Sequence, residues 1–361
     1  MLKDKKIVCV HLLNDFSGSP RILSQVVKAF VNEGSEVDLY TCKSKNKGFL
    51  SDIPGVNYRD FYYRWSSNKM ITLVFFLFSQ FLLFFKMMKY MKKDVIFYIN
   101  TILPFGVALA AKLMNKKVVY HVHETSVKPE ILKKFLFRIV RYTASDAIYV
   151  SNFLLQQEEV PNVNCHVVHN ALTDEFIAES SKFQPSQHDG FTVLMLSSLK
   201  RYKGIHDFVT LAKSLPDLKF ELVINAKKTD INNYFRGDDL PANLIIYPSQ
   251  SNVHQFYKRA NLVLNLSHPL GWVETFGMTA LEAMSYGIPV IVPPVGGIAE
   301  IVEEGFCGRK IDVRNINSLI AGIQKFCSDS KYYLKLSNGA RRKSEQFIPQ
   351  KMTSRILKIA S

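Results

Sequence analysis

The chain has 361 residues, enough for about two domains that each bury a core of their own. Its 47% hydrophobic and 21% charged residues are typical of a globular protein and exclude an intrinsically disordered chain. The net charge of +15 favours anionic partners, such as nucleic acid, a membrane surface or phosphorylated substrates.

The positive charge is concentrated in the window 59–141, which holds fifteen Lys and Arg against four Asp and Glu. An anionic ligand surface and an ordinary solubilising face both fit this window. Five cysteines are scattered without a CxxC pair: Cys9, Cys42, Cys165, Cys307 and Cys327. Their odd number and wide spacing argue against a disulfide framework or a zinc site and favour a reducing compartment.

Short β-branched runs alternate with helical segments along the first half of the chain. The spacing predicts strands over 6–13, 36–42, 94–100, 117–124, 146–151 and 166–171. Such alternation is typical of a parallel sheet covered by helices on both faces. After the first strand only Gly18 could serve a phosphate-binding turn, so a dinucleotide dehydrogenase is disfavoured.

A polar stretch at 180–190 interrupts the pattern, and we interpret it as an interdomain linker. The alternation then resumes with predicted strands over 191–198, 220–226, 243–249, 260–267 and 288–294. The expected domains are therefore residues 1–178 and 190–345, each with an α/β fold.

The segment WVETFGMTALEAMSYGIPVIVPPVGGIAEIV (272–302) carries the strongest chemical signal. Glu274 precedes a helix start at which Gly277 lets a ligand approach the backbone, and the amides of Met278 and Thr279 are unpaired within the helix. Glu282 follows about one turn later. An anion site with a carboxylate on either side suits a sugar nucleotide. Two ordinary helix-start acids are the alternative.

This segment resembles the E-x7-E signature of the retaining glycosyltransferases of family 4, and the glycines and second glutamate that follow fit without a gap. The resemblance implies the GT-B fold, an α/β architecture of two Rossmann-like domains with parallel sheets facing a cleft. It also implies that the final helix, 346–361, packs back on the first domain.

Four further segments carry the resemblance. Lys203 in SSLKRYKG is similar to the family's diphosphate-binding lysine, while Ser198 stands where many members have arginine. His123 in YHVHET, Asn170 in HVVHNALTDEF and Gly18 in NDFSGSPR match the family's first-domain motifs. Taken alone, His123 could equally be a structural residue at a strand end.

The resemblance implies transfer of a sugar from a nucleotide-diphosphate donor with retention at the anomeric carbon. The expected catalytic residues are His123, Glu274 and Lys203. The expected donor-binding residues are Gly18, Ser198, Gly277, Met278, Thr279 and Glu282. No Asp-x-Asp pair follows a strand, so we expect no metal and no other cofactor.

Two other functions stay open at this point, and a third is disfavoured. The chain could be a noncatalytic sugar-nucleotide-binding partner of another transferase, or a GT-B sugar-nucleotide epimerase. Nucleic-acid binding is disfavoured because no binding motif with interleaved aromatic residues accompanies the basic window.

Residues 70–85 are uncharged and rich in phenylalanine, and lysines follow at 86, 89, 92 and 93. A helix of this length reaches about 24 Å, short of the roughly 30 Å hydrocarbon core, so we do not expect a membrane span. A buried core helix and a helix lying in the headgroup region are the alternatives, and the basic flank favours the second. We therefore expect a cytoplasmic protein on the inner face of the membrane, with an anionic lipid surface and a lipid-linked saccharide acceptor as partners, in polysaccharide biosynthesis.

Overall fold

The computed structural model describes residues 2–43, 47–183 and 190–361. It divides into an N-terminal unit, Met1–Ala171 with Pro349–Ser361, and a C-terminal unit, Leu172–Ile348. The first boundary falls before residue 178, where the sequence predicted the end of the first domain. Residues 184–189 of the predicted linker lie outside the described residues, and the preceding helix extends to Ser181.

The described part of the N-terminal unit contains one sheet of seven strands, all paired in parallel in the order β3-β2-β1-β4-β5-β6-β7. The strands are β1 (Lys6–Val10), β2 (Glu36–Cys42), β3 (Val56–Phe61), β4 (Val95–Asn100), β5 (Lys117–Val122), β6 (Asp146–Tyr149) and β7 (Asn164–Val167). The helices are α1 (Gly18–Asn32), α2 (Lys69–Met87), α3 (Phe105–Leu113), α4 (Glu130–Thr143), α5 (Asn152–Glu158) and α14 (Pro349–Ala360).

The described part of the C-terminal unit contains a six-stranded parallel sheet in the order β10-β9-β8-β11-β12-β13. The strands are β8 (Thr192–Ser198), β9 (Lys219–Asn225), β10 (Leu244–Tyr247), β11 (Leu262–Leu264), β12 (Val290–Val292) and β13 (Gly308–Lys310). The helices are α6 (Asp174–Ser181), α7 (Ile205–Ser214), α8 (Lys228–Tyr234), α9 (His254–Arg259), α10 (Met278–Ser285), α11 (Gly297–Ile301), α12 (Ile316–Ser328) and α13 (Ser330–Ser344).

Burial on both faces explains why these strands read as continuous apolar runs. Every residue of β4, VIFYIN, is buried, as expected for a central strand of a parallel sheet covered by helices. Helix α1 shows the complementary pattern, since Ile22, Val26 and Phe30 recur at helical spacing on its buried face. The α/β architecture predicted from the sequence is confirmed in both units.

Helix α2 is the apolar segment whose placement the sequence left open. The Asn68 side chain caps its start by accepting from the amides of Met70 and Ile71 at 2.9 and 3.3 Å. One face is buried, where the Gln80 side chain accepts from the amide of Gly106 in α3 at 3.2 Å. A Cβ at Gly106 would lie 2.1 Å from the Gln80 carbonyl oxygen, so the two helices approach closely there.

The opposite face of α2 is apolar and exposed. Its exposed residues are Met70, Ile71, Val74, Leu77, Phe78, Phe81, Leu82 and Phe85. Among the described residues, Lys69–Tyr90 is the one helical segment long and apolar enough to cross a membrane, and 28% of its most apolar 18-residue window is buried. Length and composition alone are weak evidence for a span, because core helices pass the same test.

Candidate functional site

The C-terminal unit gathers its candidate residues at the carboxyl ends of its strands. The strand order reverses between β8 and β11, the place where open α/β sheets bind ligands. Lys203 lies in the short 3-10 turn after β8, and Glu274 lies in the loop after β11. Gly204 ends the turn at φ +77°, and a Cβ there would lie 2.2 Å from the Leu266 carbonyl oxygen. Glycine at this position therefore allows Lys203 to lie close to the end of β11.

Lys203 and Glu274, both expected to be catalytic, are in direct contact. The Lys203 ammonium group donates to Oε1 of Glu274, and the Ser267 hydroxyl donates to the same oxygen at 2.9 Å. The ammonium group also lies 5.4 Å from the centre of the Trp272 ring, which stacks on Tyr202. The side chains of Lys203 and Glu274 are 16% and 18% exposed, so the ion pair is partly shielded but reachable by a ligand.

The backbone of Glu274 is fixed by a pair of glycines after β12. The Gly297 amide donates to the Glu274 carbonyl oxygen at 2.8 Å. Gly296 has φ +96°, and a Cβ there would lie 2.6 Å from that carbonyl oxygen. The close approach requires glycine at 296, which gives a physical reason for the first of the two glycines that follow the predicted donor segment.

Gly277 lies directly before α10 at φ +95°, and a Cβ there would lie 2.4 Å from Cγ1 of Ile298. Helix α10 begins at Met278, so the amides of Met278 and Thr279 have no acceptor within the helix. The partial positive charge of the helix start adds to these donors. The segment can therefore receive an anion, and its role in binding a donor stays a prediction.

Glu282 is buried beside a pair of stacked tyrosines, and Ser198 ends a strand. Glu282 is only 5% exposed, and its Oε2 accepts from the Tyr257 hydroxyl at 2.7 Å. The Tyr257 ring stacks on Tyr286. Ser198 is the last residue of β8, and its carbonyl oxygen accepts from the Lys200 amide at 2.7 Å. Sequence reasoning did not identify Tyr257, Ser267 or Trp272, because nothing in their spacing links them to Glu274 or Glu282.

The N-terminal unit has its own polar cluster at the carboxyl edge of the sheet, where the strand order reverses between β1 and β4. His123 follows β5, and its Nε2 lies 3.0 Å from Oδ1 of Asn100, the last residue of β4. The side-chain nitrogen Nδ2 of Asn100 lies 3.1 Å from Nδ1 of His11, which follows β1. His121 on β5 packs against His123 with ring centres 4.3 Å apart, and its Nδ1 pairs with the Tyr98 hydroxyl.

Burial keeps these histidines neutral. Desolvation lowers the pKa of His11 to about 4 and that of His121 to about 3. It also holds the pKa of His123 well below its usual range, and repulsion from His121 and His11 acts in the same direction. Desolvation raises the pKa of Glu124 to about 7, although hydrogen bonds from the His123 and Ile102 amides act the other way.

The backbone next to Asn100 is strained. Thr101 has φ +72°, which a β-branched residue rarely adopts, and its amide donates to the His121 carbonyl oxygen at 2.8 Å. Strained residues of this kind cluster at functional sites.

Gly18 is the first residue of α1, and a Cβ there would meet no described atom within 4 Å. The packing of the described residues therefore does not itself require a glycine at 18.

Sequence reasoning missed His11, Asn100 and Glu124. All three lie at or just after the carboxyl end of a buried strand, and that position was the available signal. No group of three or more His, Cys, Asp and Glu side chains that could hold a metal ion occurs in the part of the chain that the structure describes. Metal independence nevertheless remains a prediction.

Comparison with known proteins identifies both units. The family model for glycosyl transferases group 1 matches residues 176–343, and that for Glycosyltransferase Family 4 matches residues 16–176. N-acetyl-alpha-D-glucosaminyl L-malate synthase of Bacillus anthracis is 22% identical over 72% of this chain and 72% of its own length.

Two solved structures show the same fold over nearly the whole chain. Anabaena HepE, crystallised with UDP and glucose, has a TM-score of 0.78 at 18% identity, covering 98% of this chain and 99% of that one. The lipopolysaccharide outer core galactosyltransferase WaaB has a TM-score of 0.73 at 18% identity, covering 98% and 99%. With both units matched by family models and the GT-B fold confirmed, the chain belongs to the GT-B glycosyltransferases of the family 4 type.

Proposed function

We propose that the chain is a retaining glycosyltransferase that moves a sugar from a nucleotide-diphosphate donor to a lipid-linked saccharide acceptor in polysaccharide biosynthesis. The observation that carries the donor half is the contact of Lys203 with Glu274 beside the helix start at Gly277. A cation, free amides and a carboxylate at one sheet edge suit a diphosphate joined to a sugar. Anabaena HepE, which shares the fold, was crystallised with UDP and glucose, in keeping with this donor class.

The proposed chemistry requires departure of the nucleoside diphosphate. The bond between the anomeric carbon and the phosphate oxygen breaks, and a bond from the acceptor hydroxyl to that carbon forms on the same face. The departing phosphate oxygen takes the acceptor's proton. Lys203 and the amides of Met278 and Thr279 stabilise the charge that develops on the leaving group.

The other candidate residues position the donor. Glu274 accepts hydrogen bonds from the hydroxyls of the transferred sugar and thereby orients its anomeric carbon. Glu282 accepts from the ribose hydroxyls, with Tyr257 holding its carboxylate in place. His123 contacts the transferred sugar, and Gly18 and Ser198 leave room near the phosphates.

The proposed acceptor follows from the exposed face of α2 and the basic residues beside it. Lys92 and Lys93 are exposed just after the helix, and Trp65, 70% exposed, precedes it. Apolar side chains flanked by aromatic and basic residues suit a helix lying in an anionic headgroup layer. A crossing is disfavoured because β1 and β4, on either side of α2 in the chain, pair in one sheet. The protein would therefore work on the cytoplasmic face of the membrane, where a lipid-linked acceptor is accessible.

A panel of nucleotide sugars, screened by thermal shift and by release of nucleoside diphosphate, tests the donor assignment. We expect one donor to stabilise the protein and to be consumed with acceptor, and NMR of the product to show the donor's anomeric configuration. Binding without turnover would support a noncatalytic partner instead. Conversion of free donor to its epimer without acceptor would support an epimerase.

Flotation with liposomes tests the membrane half. We expect wild-type protein to float with anionic vesicles, less so as salt rises, and to float poorly when Phe78, Phe81 and Phe85 are changed to serine. Phe76 is buried and unsuitable, since its loss would test folding instead. The matched control is Leu334→Ser with Ile245→Ser, which removes exposed apolar side chains from the C-terminal unit. Wild-type protein that stays soluble at low salt would contradict the membrane role.

A further inference from the structure

We propose that Asn100 is a positioning residue that fixes His123 as the tautomer protonated at Nε2. This leaves the Nδ1 lone pair of His123 to accept a hydrogen bond from a hydroxyl of the transferred sugar. The sugar contact rests on the proposed function, whereas the tautomer does not.

The orientation of the Asn100 side chain follows from its contact with α1. Its amide nitrogen lies 3.2 Å from the Ser19 carbonyl oxygen, which can only accept a hydrogen bond. The opposite orientation would place two acceptor oxygens against each other inside the protein. Asn100 is 0% exposed, so water could not compensate for the lost bond. The nitrogen must therefore face Ser19, and Oδ1 must face His123.

This orientation determines which ring nitrogen of His123 carries the proton. Because Oδ1 of Asn100 is an acceptor, Nε2 of His123 must donate across the 3.0 Å contact. The Asn100 side-chain nitrogen also lies 3.1 Å from Nδ1 of His11, and that Nδ1 is 3.3 Å from the Asn100 carbonyl oxygen. One buried amide thus sets the tautomer of the histidine that follows the neighbouring strand.

The surroundings of His123 keep it neutral, so a single proton is available to its ring. The titratable groups that face it are His121, His11 and Glu124, and the two histidines are themselves deeply buried. With that proton held at Nε2, Nδ1 carries a lone pair, and no partner for Nδ1 occurs among residues 2–43, 47–183 and 190–361.

The tautomer limits what His123 can recognise. A lone pair accepts from a hydroxyl but repels a phosphate oxygen, which is itself only an acceptor. Asn100 therefore assigns His123 to a hydroxyl of the sugar and excludes it as a ligand for the diphosphate. That division leaves the phosphate charge to groups such as Lys203 and the amides at the start of α10.

The tautomer can be read in the ligand-free protein by long-range ¹H–¹⁵N NMR of histidine-labelled samples, with the His123 signals identified by their loss in His123→Gln. We expect a protonated Nε2 and an unprotonated Nδ1 in the wild type near neutral pH. A protonated Nδ1 would overturn the inference. This measurement needs neither donor nor turnover, so it stands even if no nucleotide sugar proves to be a substrate.

Asn100→Asp supplies the second arm, since it keeps the acceptor that faces His123 and the side-chain volume but adds a negative charge. It also loses the donor to the Ser19 carbonyl oxygen, so circular dichroism must first show that the variant is folded. The carboxylate should favour the doubly protonated ring, so the His123 pKa should rise and both of its nitrogens should be protonated at lower pH. The acid limb of the pH–rate profile should move to higher pH, and activity should recover as His123 loses its proton. A uniformly slower enzyme with an unshifted profile would mean that Asn100 has only a structural role. Should no nucleotide sugar be turned over, the sugar contact would fail with the proposed function, while the NMR result would still decide the tautomer.

Discussion

In the C-terminal unit, the Lys203 ammonium group and Oε1 of Glu274 form an ion pair that also receives the Ser267 hydroxyl. Each charge thus has a partner before any donor binds, which avoids the cost of leaving a partly buried charge unpaired. A bound diphosphate would compete with Glu274 for Lys203. It would then release the Glu274 carboxylate to accept from the hydroxyls of the sugar.

Lys203→Ala should lower turnover by roughly ten- to a thousandfold, as expected for the loss of one donor that stabilises the leaving group. Ser198→Ala is the matched control at the end of β8 and should change the rate far less. Steady-state kinetics with a single donor would compare the two variants. Equal losses would show that the phosphate site has been misplaced.

Gly277→Ala should weaken both the fold and donor binding, because an alanine there has a strained φ and its Cβ would clash with Ile298. Gly237→Ala is the matched control, since it has φ +86° and open space around a Cβ. The control should lose about 1–2 kcal/mol from the left-handed backbone alone, and Gly277→Ala about 1–3 kcal/mol more from overpacking. Thermal denaturation would measure the stability of the two variants, and donor titration would measure their affinity. Equal losses of stability in Gly277→Ala and Gly237→Ala would rule out the close contact.

Activity should survive treatment with EDTA, because the diphosphate charge is assigned to Lys203 and the amides at the start of α10. Assays in parallel would contain EDTA alone, or EDTA followed by excess Mg²⁺ or Mn²⁺. Full loss of activity with rescue by either ion would show that a metal carries the diphosphate.

Glu124→Gln should make stability depend less on pH. A carboxyl whose pKa is raised from 4.5 to about 7 on folding stabilises the protein fully below pH 4.5, and this contribution is lost as pH rises through 7. The variant lacks that loss. Its free energy of unfolding should therefore rise by up to about 3 kcal/mol relative to that of the wild type across the same window. His11 and His121 are present in both proteins, so their contributions cancel.

Melting temperatures measured from pH 4.5 to pH 8 would test this, with Glu33→Gln as a control for the loss of an exposed carboxylate. A difference between Glu124→Gln and wild type that stayed constant over this range would mean that Glu124 titrates normally in the folded protein.

The hydrophobic pattern alone located most of the strands of the two sheets. The expected strand over 36–42 coincides with β2, and those over 94–100 and 191–198 differ from β4 and β8 by one residue at the start. The strand expected at 166–171 was placed too late, since β7 spans Asn164–Val167. The structure also contains β3 and β13, which the sequence analysis did not predict. Both are edge strands, β3 mostly exposed and polar and β13 only three residues long, so neither has a buried apolar pattern to detect.

From the residues alone, the site was predictable only where one segment contains it, whereas Lys203 and His123 were expected because of the family resemblance. Glu274, Gly277 and the start of α10 are consecutive in sequence, so helix-start signals sufficed to find them. The contact of Lys203 with Glu274 joins two loops 71 residues apart, and that of Asn100 with His123 joins two strand ends. Such contacts depend on strand order, which hydrophobic periodicity does not report.

The most direct test of the proposed activity is turnover by Glu274→Ala with the donor identified in the screen. Release of nucleoside diphosphate in the presence of acceptor would be followed for this variant and the wild type at equal concentration. Circular dichroism and melting temperature would confirm that both are folded. We expect transfer to be abolished while the fold persists, because Glu274 is assigned to the ligand and not to packing. Wild-type turnover by the folded variant would contradict the assignment of this site.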